Sequence, residues 1–366
     1  MIVISKPYLD QRDTDLVLEA VQSGWISSIG GMLQEFESQF SKFCQVDHSM
    51  TCSNGTTGLH LALVASGVAA GDEVIIPNIS FVATVNAVLY CNAIPVFCDV
   101  SSIDGLMDID QIPSLVTENT KAIIPVHLYG SPVNIPRLKS LIDRDISIIE
   151  DCAEAHGAEI SGARVGGLGD IGVFSFYGNK IMTTGEGGMV TTNNESIAER
   201  VKLLRDHGMS KEIRYQHDIL AFNYRMTNLQ AALGVAQLEK IDFMLREREK
   251  IFLMYEKCLS KSNIKMLPRP SYGSSVNWLI SVMLPENTCI NRDDVITALA
   301  SNGIDSRPFF RPMNSFPYVV KFVGQNLPNS QKFYQCGLNL PTFIGIQNSE
   351  IEFICENLTD LCCRGY

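Results

Sequence analysis

Lys180 and Asp151 are the residues whose types and spacing could do chemistry together. Asp151 ends the apolar run Ile146-Ser147-Ile148-Ile149-Glu150, which predicts a strand. Lys180 follows the next predicted strand, in Phe174-Ser175-Phe176-Tyr177-Gly178-Asn179-Lys180. A carboxylate at one strand end and an amine just after the next are what a pyridoxal 5'-phosphate (PLP) site needs. The aldehyde is held by an amine as a Schiff base. The pyridine nitrogen is kept protonated by an anion, so that the ring accepts electrons. Taken singly, Asp151 reads equally as a strand-end cap and Lys180 as a solvated lysine. The polar turn that follows, with Thr183, Thr184, Gly185, Gly187 and Gly188, is expected to leave an idle lysine stem uncovered.

Other residues gain meaning from that pair. Ser53-Asn54-Gly55-Thr56-Thr57-Gly58 precedes a helical run, Leu59–Val64. Asn54 and Ser53 are good N-cap types, and free amides at a helix start attract phosphate. Thr56, Thr57 and Ser175 add hydroxyls that could reach the same group. His156 stands either beside the cofactor or in the core. Cys152 reads as a core filler. Gly167-Leu-Gly169-Asp-Ile-Gly172 has the G-x-G-x-x-G spacing, but a strand rather than a helix follows it, which argues against a dinucleotide site. The six histidines are scattered, and no metal-ligand constellation is expected.

The elements that must position these residues are legible in outline. Apolar runs at 73–77, 94–98, 121–126, 146–150, 171–176 and 188–192 alternate with helical patterns. Continuous rather than alternating apolar runs suit strands buried on both faces. Helix-length intervals imply parallel βαβ units, with ligands at the carboxyl ends of strands. The stretch 228–258 has no proline and predicts one long helix. A break at 268–273 precedes a predicted strand, Val276–Met283. The expected organisation is a large PLP-binding domain over 1–240, with an N-terminal arm, and a smaller α+β C-terminal domain over 241–366.

The chain has 366 residues and a formal net charge of −11, which argues against coating nucleic acid or an anionic membrane. Its 11 cysteines are odd in number, and several lie in apolar runs. Reduced core thiols and a cytoplasmic location are expected. No signal-peptide pattern opens the chain, and no apolar stretch reaches the ~18 residues that a membrane span needs.

With these residues in hand, the chain resembles the DegT/DnrJ/EryC1/StrS sugar-nucleotide aminotransferases, which are fold-type-I PLP enzymes. Matching stretches are Gly24–Ser28, Ser53–Thr57, Phe81–Asn86, Glu150–Glu154, Phe174–Gly188, Phe222–Thr227, Arg307–Phe310 and Leu338–Pro341. Within the family, the Glu-Asp-Cys-Ala-Glu, Gly-Asn-Lys and Arg-Pro-Phe-Phe forms look most like GDP-perosamine synthases. The resemblance implies an α/β fold, with a mostly parallel seven-stranded sheet flanked by helices. It gives Lys180 to the cofactor aldehyde, Asp151 to the ring nitrogen and Phe81 to the ring face. Thr56, Thr57 and Ser175 would take the phosphate, and Glu154 the ring-hydroxyl side. Asn223 would reach a partner subunit's phosphate, making a homodimer with shared sites. Trp25, His156, Arg307 and the nearby Arg311, with Phe309 or Phe310, are the candidates to face the substrate; Phe309 and Phe310 read equally as core, and one of the arginines as a surface residue.

The expected reaction moves an amino group from L-glutamate to C4 of a nucleotide-linked 4-keto-6-deoxy sugar. The first choice is GDP-4-keto-6-deoxy-mannose. Amination at C3, or of a UDP- or dTDP-sugar, is the alternative, and a non-catalytic PLP-binding regulator a distant one. The chain departs from the family pattern at Asn314, at Gly58 and in the stretch after Tyr318.

Overall fold

The computed structural model describes residues 1–285, 291–322 and 326–363. The apolar runs form one seven-stranded sheet. Across it the strands run His48–Cys52, Gly188–Thr192, Ile171–Ser175, Ser147–Asp151, Thr120–Ile123, Glu73–Pro77 and Ile94–Cys98. From Ile171–Ser175 to Ile94–Cys98 every pairing is parallel. Gly188–Thr192 returns antiparallel to its neighbours, because only a turn separates it from Ser175. Both faces are covered, one around Phe36, Phe40, Phe174 and Phe176, the other around Leu61, Val85, Val173 and Val190. Continuous apolar runs are the sequence mark of that double burial.

A second, antiparallel sheet has four strands in the order Lys265–Met266, Ile280–Met283, Gly337–Leu340 and Arg307–Pro308. Its core joins Ile280, Val282, Leu338 and Leu340 to Ile251, Tyr255, Ile354 and Leu358 of two helices. The N-terminal arm docks on this part: the Ile2 amide donates to Gly303, Asp305 to Ile2 and Thr342 to Ile4.

Two elements differ from the sequence reading. The expected helix over 228–258 is two helices, Asn228–Glu239 and Ile241–Leu259, broken at Lys240 (φ −112°, ψ 10°). No glycine or proline marks the break. Lys240 Nζ is drawn instead to Asp10 and Asp13, at 2.6 and 2.5 Å, a tertiary pairing that periodicity cannot show. The expected strand 276–283 enters the sheet only at Ile280. Before that, the Val276 and Trp278 amides donate to the carbonyls of Gly130 and Tyr129.

Cys44, Cys52, Cys91, Cys98, Cys152 and Cys355 are buried thiols. Burial pushes Cys91 up to about 11 and Cys52 up to about 12. Cys289 and the side chain of Cys363 lie outside the described residues, as do 323–325, part of the divergent stretch after Tyr318. Among the described residues no helix is long and apolar enough to cross a membrane.

Candidate active site

Asp151 ends its strand and Lys180 lies in the turn after the next, so sheet order brings both to one cavity of about 440 Å³. Asp151 is buried, which raises its pKa. Two donors favour the anion: the Ala153 amide at 3.2 Å and the Thr84 hydroxyl at 3.1 Å. Lys180 Nζ lies 3.2 Å from Glu154 Oε1 and 3.8 Å from the centre of the Trp278 ring. The lysine stem is thus covered, its side chain only 11% exposed, contrary to the expectation for the polar turn. What covers it is Trp278, from the non-sheet half of the expected strand. The Trp278 Nε1–H donates to the Asn179 carbonyl at 2.8 Å and steadies that turn.

Glu154 is the second buried carboxylate, raised by burial and held down by Lys180 and by the Tyr129 amide at 2.7 Å. Tyr129 adopts a left-handed backbone (φ 53°), uncommon for a bulky residue. Its carbonyl accepts from Trp278, its hydroxyl accepts from the Phe310 amide at 3.0 Å, and its ring stacks on Phe310. Phe310 in turn meets Phe81 at 5.9 Å. The cavity is therefore walled by Phe81, Phe310 and Trp278.

At one end of the cavity the helix Gly55–Ala65 begins. Asn54 caps it in a reciprocal box with Thr57. Helix geometry leaves the first amides, those of Gly55 and Thr56, without an internal acceptor. A Cβ on Gly55 would lie 2.9 Å from Ser175 Cβ, so only glycine leaves room beside Ser175. Aligned amides and two hydroxyls, Thr56 and Ser175, make an anion cradle. This donor set fits PLP: a phosphate cradle, an aromatic face, a buried carboxylate and an amine.

Several expected site residues stand elsewhere. Thr57 does not line the cavity; its hydroxyl bonds Ser53 Oγ at 3.0 Å and the Asn54 amide. His156 is a core residue against Phe174 and Phe176, with no hydrogen-bond partner for either ring nitrogen among the described residues. Phe309 is also core, between Tyr129 and Phe333; along this extended segment neighbouring side chains point opposite ways, and Phe310 takes the cavity side. Arg307 pairs with Asp305 in solvent. Trp25 is 58% exposed outside the cavity. Asn223 is outside its own chain's cavity and accepts from Arg225.

Thr84, Tyr129 and Trp278 were not singled out from sequence. Only Thr84 carried a local signal, standing three residues after Phe81 on the same helical turn. The false dinucleotide motif has a structural job, since the Leu168 and Gly169 amides both donate to Glu150 Oε1. His127, Glu150 and Cys152 cluster in the core, but His127 Nε2 bonds Glu150 and its Nδ1 accepts from the Val133 amide.

The chain matches the model of the DegT/DnrJ/EryC1/StrS aminotransferase family over residues 7–359. It is 44% identical to a GDP-perosamine synthase of Caulobacter vibrioides, over 96% of this chain and 95% of that one. It is 37% identical to a GDP-perosamine synthase of Vibrio cholerae, over 100% and 99%. Among solved structures it is similar to Helicobacter pylori PseC, an aminotransferase of pseudoaminic acid biosynthesis (TM-score 0.93, 28% identity, 99% of each chain). It is also similar to Spr1654 of Streptococcus pneumoniae, a candidate sugar aminotransferase in its PLP form (TM-score 0.95, 26% identity, 100% of this chain and 99% of that one).

Proposed function

The chain belongs to the DegT/DnrJ/EryC1/StrS aminotransferase family and is PLP-dependent, and we propose that it transfers the amino group of L-glutamate to C4 of a nucleotide-linked 4-keto-6-deoxy sugar, converting GDP-4-keto-6-deoxy-mannose to GDP-perosamine. The observation that carries the chemistry is the convergence of Lys180, Glu154 and Asp151 on one aromatic-walled cavity. The choice of sugar nucleotide rests on full-length likeness to two proteins named as GDP-perosamine synthases.

PLP supplies, when bound, an electron sink for the charge left on a substrate carbon. The protein does the rest. Asp151, buried and held by two donors, would be the anion at the ring nitrogen. The Gly55 and Thr56 amides, with Ser175, would hold the phosphate. Phe81 would cover a ring face. Lys180 Nζ takes the proton from the α-carbon of glutamate, and in the second half-reaction delivers one to C4 of the sugar. Glu154 and the Trp278 face keep the lysine in place between those transfers. Arg311, next to Phe310 in the chain, would meet the diphosphate there, whereas Arg307 is turned to Asp305.

Lys180 is the only cation among the described residues that line the cavity. A phosphate dianion bound in the cradle therefore lacks a basic partner from its own chain. Exposed Trp25, Ile29, Ile213, Tyr215 and Leu220, the last 92% exposed, mark surface suited to a second copy. We assign Asn223 and Arg225 to the partner's phosphate in a cytosolic homodimer.

The test is to load the enzyme with pyridoxamine phosphate and offer GDP-, dTDP- and UDP-linked 4-keto-6-deoxy sugars, read by mass spectrometry. Conversion of the GDP-mannose derivative to the 4-amino product is expected. Faster turnover of a dTDP- or UDP-linked sugar would overturn the substrate assignment and leave the aminotransferase standing.

A further inference from the structure

Ser80 and Thr84 lie in the turn that opens the helix Ala83–Tyr90, the same turn that presents Phe81 to the cavity. Thr84 is fully buried and Ser80 nearly so. Their hydroxyls are 2.8 Å apart, and Thr84 Oγ1 is 3.1 Å from Asp151 Oδ2. An ionised carboxylate only accepts, so the single proton of Thr84 goes to Asp151. Thr84 is then an acceptor towards Ser80, and Ser80 must donate. The chain of donation has one direction, Ser80 to Thr84 to Asp151. Hydroxyl residues at a helix start ordinarily cap it. Here the helix has no side-chain cap. The hydroxyls are turned away from the helix amides and towards the carboxylate.

We propose that Thr84, backed by Ser80, is a positioning residue that aims Asp151 at the cofactor ring and keeps the shared proton on the ring nitrogen. The inference rests on Asp151 as the partner of that nitrogen. Between a buried carboxyl and a pyridine nitrogen the proton has two homes: on nitrogen, leaving an ion pair, or on oxygen, leaving a neutral pair. Burial favours the neutral pair. Each donor to the carboxylate favours the ion pair, and among the described residues Thr84 is one of two that meet Asp151, the other being the Ala153 amide. A hydrogen bond to a charged group shifts such a ratio by about tenfold or more. Because Phe81 and Thr84 share a turn, one local conformation sets both the ring's face and the ring's anchor.

The decisive measurement is the ring-nitrogen NMR shift of isotope-labelled PLP bound to the enzyme, which distinguishes protonated from unprotonated nitrogen without turnover. Thr84→Val keeps the shape and removes the hydroxyl. Its shift is expected to move from the protonated towards the unprotonated position, by about a tenfold change in the ratio of the two forms. Thr84→Ser is expected to restore the wild-type position, and Ser80→Ala to move it partway. A Thr84→Val protein that binds PLP with an unchanged nitrogen shift overturns the proposal. So does a Thr84→Ser protein that moves as far as the valine variant, since that would make the effect one of packing. Asp151→Asn separates the two levels: a nitrogen that stays protonated there removes Asp151 itself from the ring, whatever Thr84 does.

Discussion

Lys180 is distinguished from the chain's other lysines by what touches it: a carboxylate on one side and an indole face on the other. Lys180→Ala is expected to abolish transamination. Borohydride reduction of the wild type with PLP, followed by peptide mapping, should place the pyridoxyl label on Lys180. Label on another lysine would contradict the assignment. His156 offers a prediction of a different kind. Burial, reinforced by Lys180, depresses it from 6.5 to about 3. Between those values the unfolded chain binds a proton that the folded chain refuses, so stability falls as pH falls. The loss begins near the unfolded value and runs down to the folded one. From pH 7 to pH 5 it amounts to about 2 kcal/mol. In urea unfolding, His156→Phe should lose about that much less than wild type over the same interval. Equal losses would show that His156 is protonated in the folded protein. Strand ends and spacing brought Lys180, Asp151 and Ser175 to one place, and the cavity does collect them; Phe81 and Phe310, which also line it, came only from the family resemblance. His156, Phe309 and Thr57 were misplaced because residue type does not say which way a side chain faces.

The helix Gly55–Ala65 is the element whose start makes the proposed phosphate cradle. Gly55 has no room for a side chain: Ser175 stands 2.9 Å from where its Cβ would be. Gly55→Ala should therefore raise the PLP dissociation constant by about tenfold or more and, because the added methyl overpacks a buried contact, also lower the unfolding temperature. Fluorescence titration with PLP, beside thermal unfolding, checks this. Unchanged affinity would move the phosphate away from this helix. Element boundaries were readable where an unbroken apolar run is itself the strand. Glu73–Pro77, Ile94–Cys98 and Gly188–Thr192 are the apolar runs themselves. They were not readable where a distant partner decides. Lys240 breaks a helix because Asp10 and Asp13 hold it, and Val276–Leu279 leaves the sheet because Gly130 and Tyr129 take its amides.

At the scale of the whole molecule, the fold class follows from the order of strands and helices, and the seven-stranded and four-stranded sheets carry separate cores. The proposed dimer is the part that one chain's sequence conveys only indirectly, through apolar residues left in solvent. If Asn223 serves the partner's site, an inactive Lys180→Ala chain mixed with an inactive Asn223→Ala chain should regain activity, because one hybrid site is intact. Mixed dimers without activity would return Asn223 to its own subunit.

The turn that holds Lys180 also has a place in time. Its Asn179 carbonyl is fastened by Ser5 from the arm and by Trp278, and the arm rests on residues 303–305 and 342. On a ribosome, residue 180 emerges long before 278, and residue 5 has nowhere to dock until the chain beyond 303 follows. Domains fold as they emerge, amino end first. The large sheet can therefore form with its lysine turn still unfastened on both sides. Chains stalled between residues 200 and 270 should show protected large-sheet amides but no specific PLP adduct at Lys180. Competence to hold the cofactor arrives as a late event of synthesis, so an incomplete chain does not sequester a reactive aldehyde.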